Sequence, residues 1–148
     1  MKIKNHSGID GRALIRAISR LGKDGGGSTI TQQLAKNLFH REAISKTNRI
    51  IQKFKEWILA IQIEKRYTKN EIILMYFNTV PYGNSYGIKS AAKTYFNKNT
   101  RDLNIEEAAV LVGMLKANTT YNPIRNPNNS LKRRNVVLSQ MLKNDYLN

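Results

Sequence analysis

Apolar positions recur at helical spacing along most of the chain, and the predicted elements follow from that recurrence. Leu14, Ile15, Ile18 and Leu21 mark one face of a helix over Gly11 to Leu21, with Arg12, Arg16 and Arg20 at i, i+4 and i+8 on another face. Ile30, Leu34 and Leu38 repeat that spacing in a second helix, as its core stripe, beside a polar stripe of Thr29, Gln33 and Lys36. A long helix from about Asn48 to Tyr67 takes Ile50, Phe54, Trp57, Ile58 and Ile61 as its apolar face. The next starts at about Lys69 and carries Ile72, Ile73, Met75, Tyr76 and Phe77 to Asn78. Pro81, Gly83 and Gly87 then impose a turn before a helix with Ala91, Ala92, Tyr95 and Phe96. An apolar helix over Ala108 to Ala117, with Gly113 allowing a close helix contact, and a last helix holding Arg133, Arg134 and Asn135 complete the pattern. No strand alternation is convincing. The expected fold class is mainly α, with about seven helices around a cleft.

The ends of these helices carry capping residues. Ser28 or Thr29 can accept from the first free N–H groups of the second helix, and Ser45 or Thr47 can do so for the third. Thr68-x-x-Glu71 and Asn104-x-x-Glu107 have the spacing of capping boxes, in which side chain and backbone satisfy each other across one turn. Asn122-Pro123 and Asn126-Pro127 enforce an extended, turning loop, after which Ser130 can cap the last helix.

Charge changes the picture. Among 148 residues there are 25 Lys plus Arg against 10 Asp plus Glu, a net +15 that points to an anionic partner: nucleic acid, an anionic membrane or a phosphorylated substrate. The arginine face of Gly11 to Leu21 suits a membrane surface, and equally a solvated basic face over a core stripe. No run approaches the roughly 18 apolar residues needed to span a bilayer, and the length and 41% hydrophobic content fit one domain with a modest core. Cysteine is absent, which removes disulfides, thiolate metal sites and thiol nucleophiles.

The candidate chemistry centres on Gly25-Gly26-Gly27-Ser28-Thr29, set directly before the second helix. A helix N-terminus offers oriented N–H groups to an anion, and Lys36, one to two turns in, adds a full positive charge. A P-loop would need Gly-Lys-Ser/Thr after the glycines, and a dinucleotide fingerprint would need a glycine where Ile30 stands; both are excluded. On the long helix Arg49, Lys53, Glu56 and Ala60 stack at intervals of four, three and four, placing one carboxylate between basic groups and beside a small residue that leaves room for a ligand. That row is either a surface run of ion pairs or part of a binding site.

Several strings resemble the signature motifs of the family 51 glycosyltransferases, the transglycosylase domains of bifunctional penicillin-binding proteins and of their monofunctional relatives. Gly26-Gly27-Ser28-Thr29-Ile30-Thr31-Gln32-Gln33-Leu34-x-Lys36 is similar to the second motif, and Lys53-x-x-Glu56-x-x-x-Ala60-x-x-Ile63-Glu64 to the third. Glu71 to Asn78, Tyr82-Gly83 and Gly87-x-x-x-Ala91-Ala92-x-x-Tyr95-Phe96 resemble the fourth, and Arg133-Arg134-Asn135-x-Val137-Leu138 the fifth. His6-x-Gly8-Ile9-Asp10 matches the second half of the first, with Ile3 where a phenylalanine is usual. Gln52 stands where an arginine is common and Met75 where a glutamate is usual; Arg49 or Lys46 can compensate for the first departure.

The resemblance implies a lysozyme-like helical lobe with a smaller membrane-facing jaw, forming one transglycosylase domain over residues 1–148 that lacks the start of its first motif. It implies a peptidoglycan glycosyltransferase that joins lipid II units into glycan strands and releases undecaprenyl pyrophosphate with inversion, at the outer face of the bacterial cytoplasmic membrane. Lys36 and Lys53 would take the pyrophosphate, with Ser28, Thr29, Gln33 and Arg49 lining the donor site. Glu56 would be catalytic by orienting the leaving group, with a Mg²⁺ or Mn²⁺ ion as an optional bridge and no organic cofactor. His6 is read as structural support. The family's base glutamate belongs to a Glu-Asp pair that would fall immediately before Met1, so this chain alone is expected to be impaired. Implied partners are lipid II, the growing glycan strand, the membrane surface and, in a longer protein, a C-terminal transpeptidase domain. Two alternatives are a basic helical nucleic-acid-binding module, for which no recognised motif or aromatic array is present, and a lytic lysozyme-like enzyme.

Overall fold

A computed structural model describes residues 29–38 and 46–146, with the backbone alone for 46–49. The predicted helix over Gly11 to Leu21, with the jaw assigned to it, and the candidates His6 and Ser28 lie outside the described residues, as does the side chain of Arg49. The described part is mainly α, as expected: α1 (Ile30–Leu38), α2 (Lys46–Arg66), α3 (Lys69–Thr79), α4 (Gly87–Phe96), α5 (Ile105–Met114) and α6 (Pro127–Lys143), with a 3₁₀ turn at Thr100–Asp102. The chain divides into two compact units after Tyr76, within the span of α3.

In the unit that ends at Tyr76, α1 packs against α2. Thr29 caps α1: the Gln32 N–H donates to Thr29 Oγ1 at 3.2 Å and the Thr29 N–H donates to Gln32 Oε1 at 3.3 Å, a reciprocal capping box. The buried side of α1 is Thr31, Gln32, Leu34 and Ala35. Leu38, expected on the core stripe, is half exposed at the helix end. A larger correction concerns α2. Its buried face is Glu56, Trp57, Ala60 and Ile63, whereas Ile50, Phe54 and Ile58, expected in the core, are 47%, 53% and 57% exposed. Period alone could not choose between these faces; the partner helix did, and fully buried alanines on both helices, Ala35 and Ala60, suit a close approach. Phe54 keeps one edge against Trp57, with ring centroids 5.0 Å apart at 78°. The Thr68 capping box starts α3 as expected, with the Thr68 N–H donating to Glu71 Oε2 at 2.7 Å and the Glu71 N–H donating to Thr68 Oγ1 at 3.4 Å.

The unit from Phe77 onward begins with an element the sequence did not predict. Pro81–Tyr82 (β1) and Ser85–Tyr86 (β2) form a two-residue antiparallel hairpin in the register Pro81 to Tyr86 and Tyr82 to Ser85. Strands this short have no room for alternation to show. Gly87 follows with φ +76°, and a Cβ there would sit 2.5 Å from the Asn78 carbonyl oxygen, so the position excludes every side chain. The hairpin is held from behind. The Tyr95 hydroxyl donates to the Tyr82 carbonyl (2.8 Å), Asn122 Nδ2 donates to the Tyr95 hydroxyl (3.1 Å), and Asn118 Nδ2 donates to the Pro81 carbonyl (2.7 Å).

Asn104 and Glu107 form the expected capping box, and it starts α5 at Ile105, three residues before the predicted Ala108; the helix ends at Met114, not Ala117. Lys98 adds an ion pair to the same glutamate at 2.8 Å. The last helix also starts early: Pro127 occupies its first turn and Asn126 flanks it, while Ser130, expected as the cap, is buried within the helix. Gly113 brings α5 against α6 as anticipated, since a Cβ would meet Arg133 Cγ at 3.0 Å. The core of this unit is apolar: Tyr82, Leu111 and Met114 are fully buried beside Ala91, Ala92 and Ala109.

Candidate active site

The candidate groups that fall within the described residues lie in the unit ending at Tyr76. Thr29, Gln33 and Lys36 share the polar stripe of α1, and each is partly buried. The Thr29 hydroxyl accepts the capping bond from Gln32, so its place at the helix entry is fixed by the backbone it caps. Gln32 was missed as a contributor, although Thr29-x-x-Gln32 has the capping-box spacing that would have found it.

On α2, Lys53 Nζ donates to Glu56 Oε2 at 2.6 Å. Glu56 is 4% exposed, which rules out a surface ion-pair row: a charged carboxylate has been taken out of water and compensated by an ammonium. Lys53 remains one-third exposed, so its charge is presented at the surface of the pair and anchored beneath by Glu56. Ala60, one turn on from Glu56, is fully buried, as a close helix packing requires.

One residue of the string that resembles the fourth motif was not among the candidates for the site. Tyr76, on α3 and 5% exposed, donates its hydroxyl to Gln33 Oε1 at 3.0 Å across 43 residues of chain. Burial pushes its phenol above the ordinary value of 10, so it remains a proton donor throughout the physiological range.

Among the described residues no group of three or more His, Asp or Glu side chains could hold a metal ion. The donor set at Glu56 is one carboxylate already bound to an ammonium, which does not fit a protein-held divalent cation. Nor, among these residues, is any helix long and apolar enough to cross a membrane.

An N-capped helix with a glutamine and a lysine on its polar stripe, packed on a helix that buries a Lys–Glu pair, is the motif pattern of the second and third signatures brought into one unit. The profile of the family described as Transglycosylase matches residues 2–142, and the chain belongs to that family. It is 43% identical to penicillin-binding protein 1A of Pseudomonas aeruginosa over 97% of its own length, and 43% identical to penicillin-binding protein 1F of Bacillus subtilis over 96%. Penicillin-binding protein 1A of Escherichia coli is 42% identical over 96%. The chain spans only 18%, 20% and 17% of these curated relatives, so it corresponds to one portion of them.

Proposed function

We propose that this chain contains the donor-binding part of a peptidoglycan glycosyltransferase that polymerises lipid II and releases undecaprenyl pyrophosphate during cell-wall synthesis. In that reaction the bond from the donor sugar's C1 to the pyrophosphate oxygen breaks and a bond from C1 to the acceptor's 4-hydroxyl oxygen forms. The hydroxyl proton passes to a carboxylate base, and negative charge collects on the leaving pyrophosphate. Catalysis then rests on cations placed where that charge develops. Lys36 on α1 and Lys53 on α2 are those cations in our reading, with Gln33 and Thr29 beside them and Ser28 and Arg49 as further lining groups.

Glu56 would act through Lys53. A bare carboxylate repels pyrophosphate, whereas one bound to an ammonium at 2.6 Å holds that ammonium in place for the leaving group. The same pairing makes Glu56 unsuited to be the base. In this reading the base glutamate belongs to the family's first motif, whose second half is matched by His6-x-Gly8-Ile9-Asp10. The reading extends to a membrane-surface site at the outer face of the cytoplasmic membrane, and to a transpeptidase domain as the partner in a longer protein.

The observation that carries the proposal is the Lys53–Glu56 pair, its carboxylate buried and its ammonium one-third exposed, on the helix against which the Gln33/Lys36 helix packs. Lys36→Ala tests it. Loss of a charge-assisted contact of about 1.5–3 kcal/mol should weaken lipid II binding by at least tenfold in a titration, and unchanged affinity would remove the donor-site assignment.

A further inference from the structure

We propose that Arg133 is a recognition site for a carboxylate, the free carboxylate of a peptide borne by the glycan, taken between the two terminal nitrogens of its guanidinium. The site stands on the geometry of α5 and α6. Only the source of the carboxylate rests on the cell-wall reading above.

Arg133 belongs to the string that resembles the fifth motif and lies in the unit from Phe77 onward, apart from the donor groups. Its arm is clamped along its length. The stem lies in the notch left by Gly113, where an added Cβ would stand 3.0 Å from Arg133 Cγ and 3.8 Å from its Cβ. The head lies over the Tyr121 ring, with Cζ 5.8 Å from the centroid, so one face of the guanidinium is against an aromatic and its N–H edge is left free. Nε is buried and bonded to nothing; the terminal nitrogens have no partner among the described residues and are not sealed from solvent. A cation held in place with its outer donors unused is a preformed fork.

The orphaned Nε separates this arrangement from ordinary packing. A buried N–H without a partner is destabilising, so an arginine kept only to join two helices would give way to an apolar side chain without loss. The neighbouring cation is engaged elsewhere: Arg134 donates from Nε and one terminal nitrogen to Asn135 Oδ1, at 3.1 and 2.9 Å. One planar fork with one charge matches a carboxylate, which accepts two parallel N–H bonds in that plane, whereas a phosphate dianion would leave a charge unmatched.

The test is a titration of the full chain with N-acetylalanine, its neutral primary amide and inorganic phosphate, followed at the Tyr121 ring resonances. N-acetylalanine should shift them saturably and the amide should not. Arg133→Lys keeps the charge and loses the fork, and should weaken N-acetylalanine binding about three- to tenfold. Arg133→Met keeps the stem and should abolish binding, with a denaturation midpoint equal to the parent's or higher. An equal response to acid and amide, or parent-like affinity in Arg133→Lys, would overturn the site. So would a lowered midpoint in Arg133→Met with carboxylate binding intact, the result for an arginine that only ties α5 to α6. Tighter binding of phosphate than of N-acetylalanine would overturn the carboxylate class. A soluble disaccharide-peptide, with its peptide carboxylates free or amidated, tests the source: amidation should weaken binding to the parent and make no difference to Arg133→Met. Equal binding of the two forms by the parent would overturn the peptide source and leave the carboxylate site. The lipid II titration of Lys36→Ala is independent, so if the donor-site reading fails there, the N-acetylalanine result still decides the site at Arg133.

Discussion

The two compact units differ in what they bury. In the unit from Phe77 onward the core is apolar, and its bonded polar groups serve the backbone: Tyr95, Asn118 and Asn122 hold the hairpin, while Asn104 and Glu107 start α5. In the unit ending at Tyr76 the buried side of α2 holds a carboxylate, its apolar residues Ile50, Phe54 and Ile58 face outward, and a buried tyrosine is bonded to a glutamine that is only partly buried. A helix that shelters Glu56 and exposes phenylalanine gives up hydrophobic stabilisation in order to place a charge. Specialisation of this kind teaches where substitutions of buried groups should register: in stability for one unit, in donor affinity for the other.

The largest expected effect is Gly87→Ala. A Cβ 2.5 Å from the Asn78 carbonyl oxygen, at φ +76°, requires the backbone to move. A loss of about 2–4 kcal/mol is expected from strain plus overpacking, read as a fall in the denaturation midpoint. Whatever fraction remains folded should bind lipid II as the parent does. A folded Gly87→Ala protein with normal stability would break the contrast at its firmest point.

Next comes Lys53→Met, which leaves Glu56 buried without its ammonium. Removing one partner of a buried pair costs about 3–5 kcal/mol, and exposure of one-third of Lys53 should reduce this to about 1–3 kcal/mol. The double variant Lys53→Met/Glu56→Gln should recover much of that stability while still failing to bind donor. Recovery of binding along with stability would mean that the pair is structural, and the two units would no longer differ in kind.

The smallest effect is a pH dependence in the second unit. Hydrogen bonding from Lys98, and then from the Asn104 backbone N–H, holds the Glu107 carboxyl below its ordinary value of 4.5. A depressed folded value means that the contribution is complete above about 4.5 and is lost as pH falls through the lowered folded value. Lys98→Ala should therefore flatten the fall in melting temperature below pH 4.5, without altering the neutral-pH affinity for lipid II. An unchanged acid limb would show that the partly exposed pair contributes little.

The primary structure was sufficient for whatever depends on neighbours within a turn or two. The capping boxes at Thr68 and Asn104 and the Lys53/Glu56 pair rest on contacts between residues three apart, the Gln33/Lys36 stripe on helical period, and the break at Pro81 and Gly83 on the backbone preferences of those residues, all of which local sequence encodes. Boundaries were less legible where two signals competed: Pro127 at a first helical turn prevailed over Ser130 as a cap, and the Asn104 box prevailed over the apolar run that seemed to start at Ala108. What only the tertiary structure decided is which face of each helix is inside. Ile50, Phe54 and Ile58 have the right period for a core and are exposed, because a helix packs on whichever side its partners fit, and the buried side of α2 is the one with Ala60. The same holds for the bond from Tyr76 to Gln33: no local spacing specifies it, since a contact across 43 residues exists only once the chain has folded.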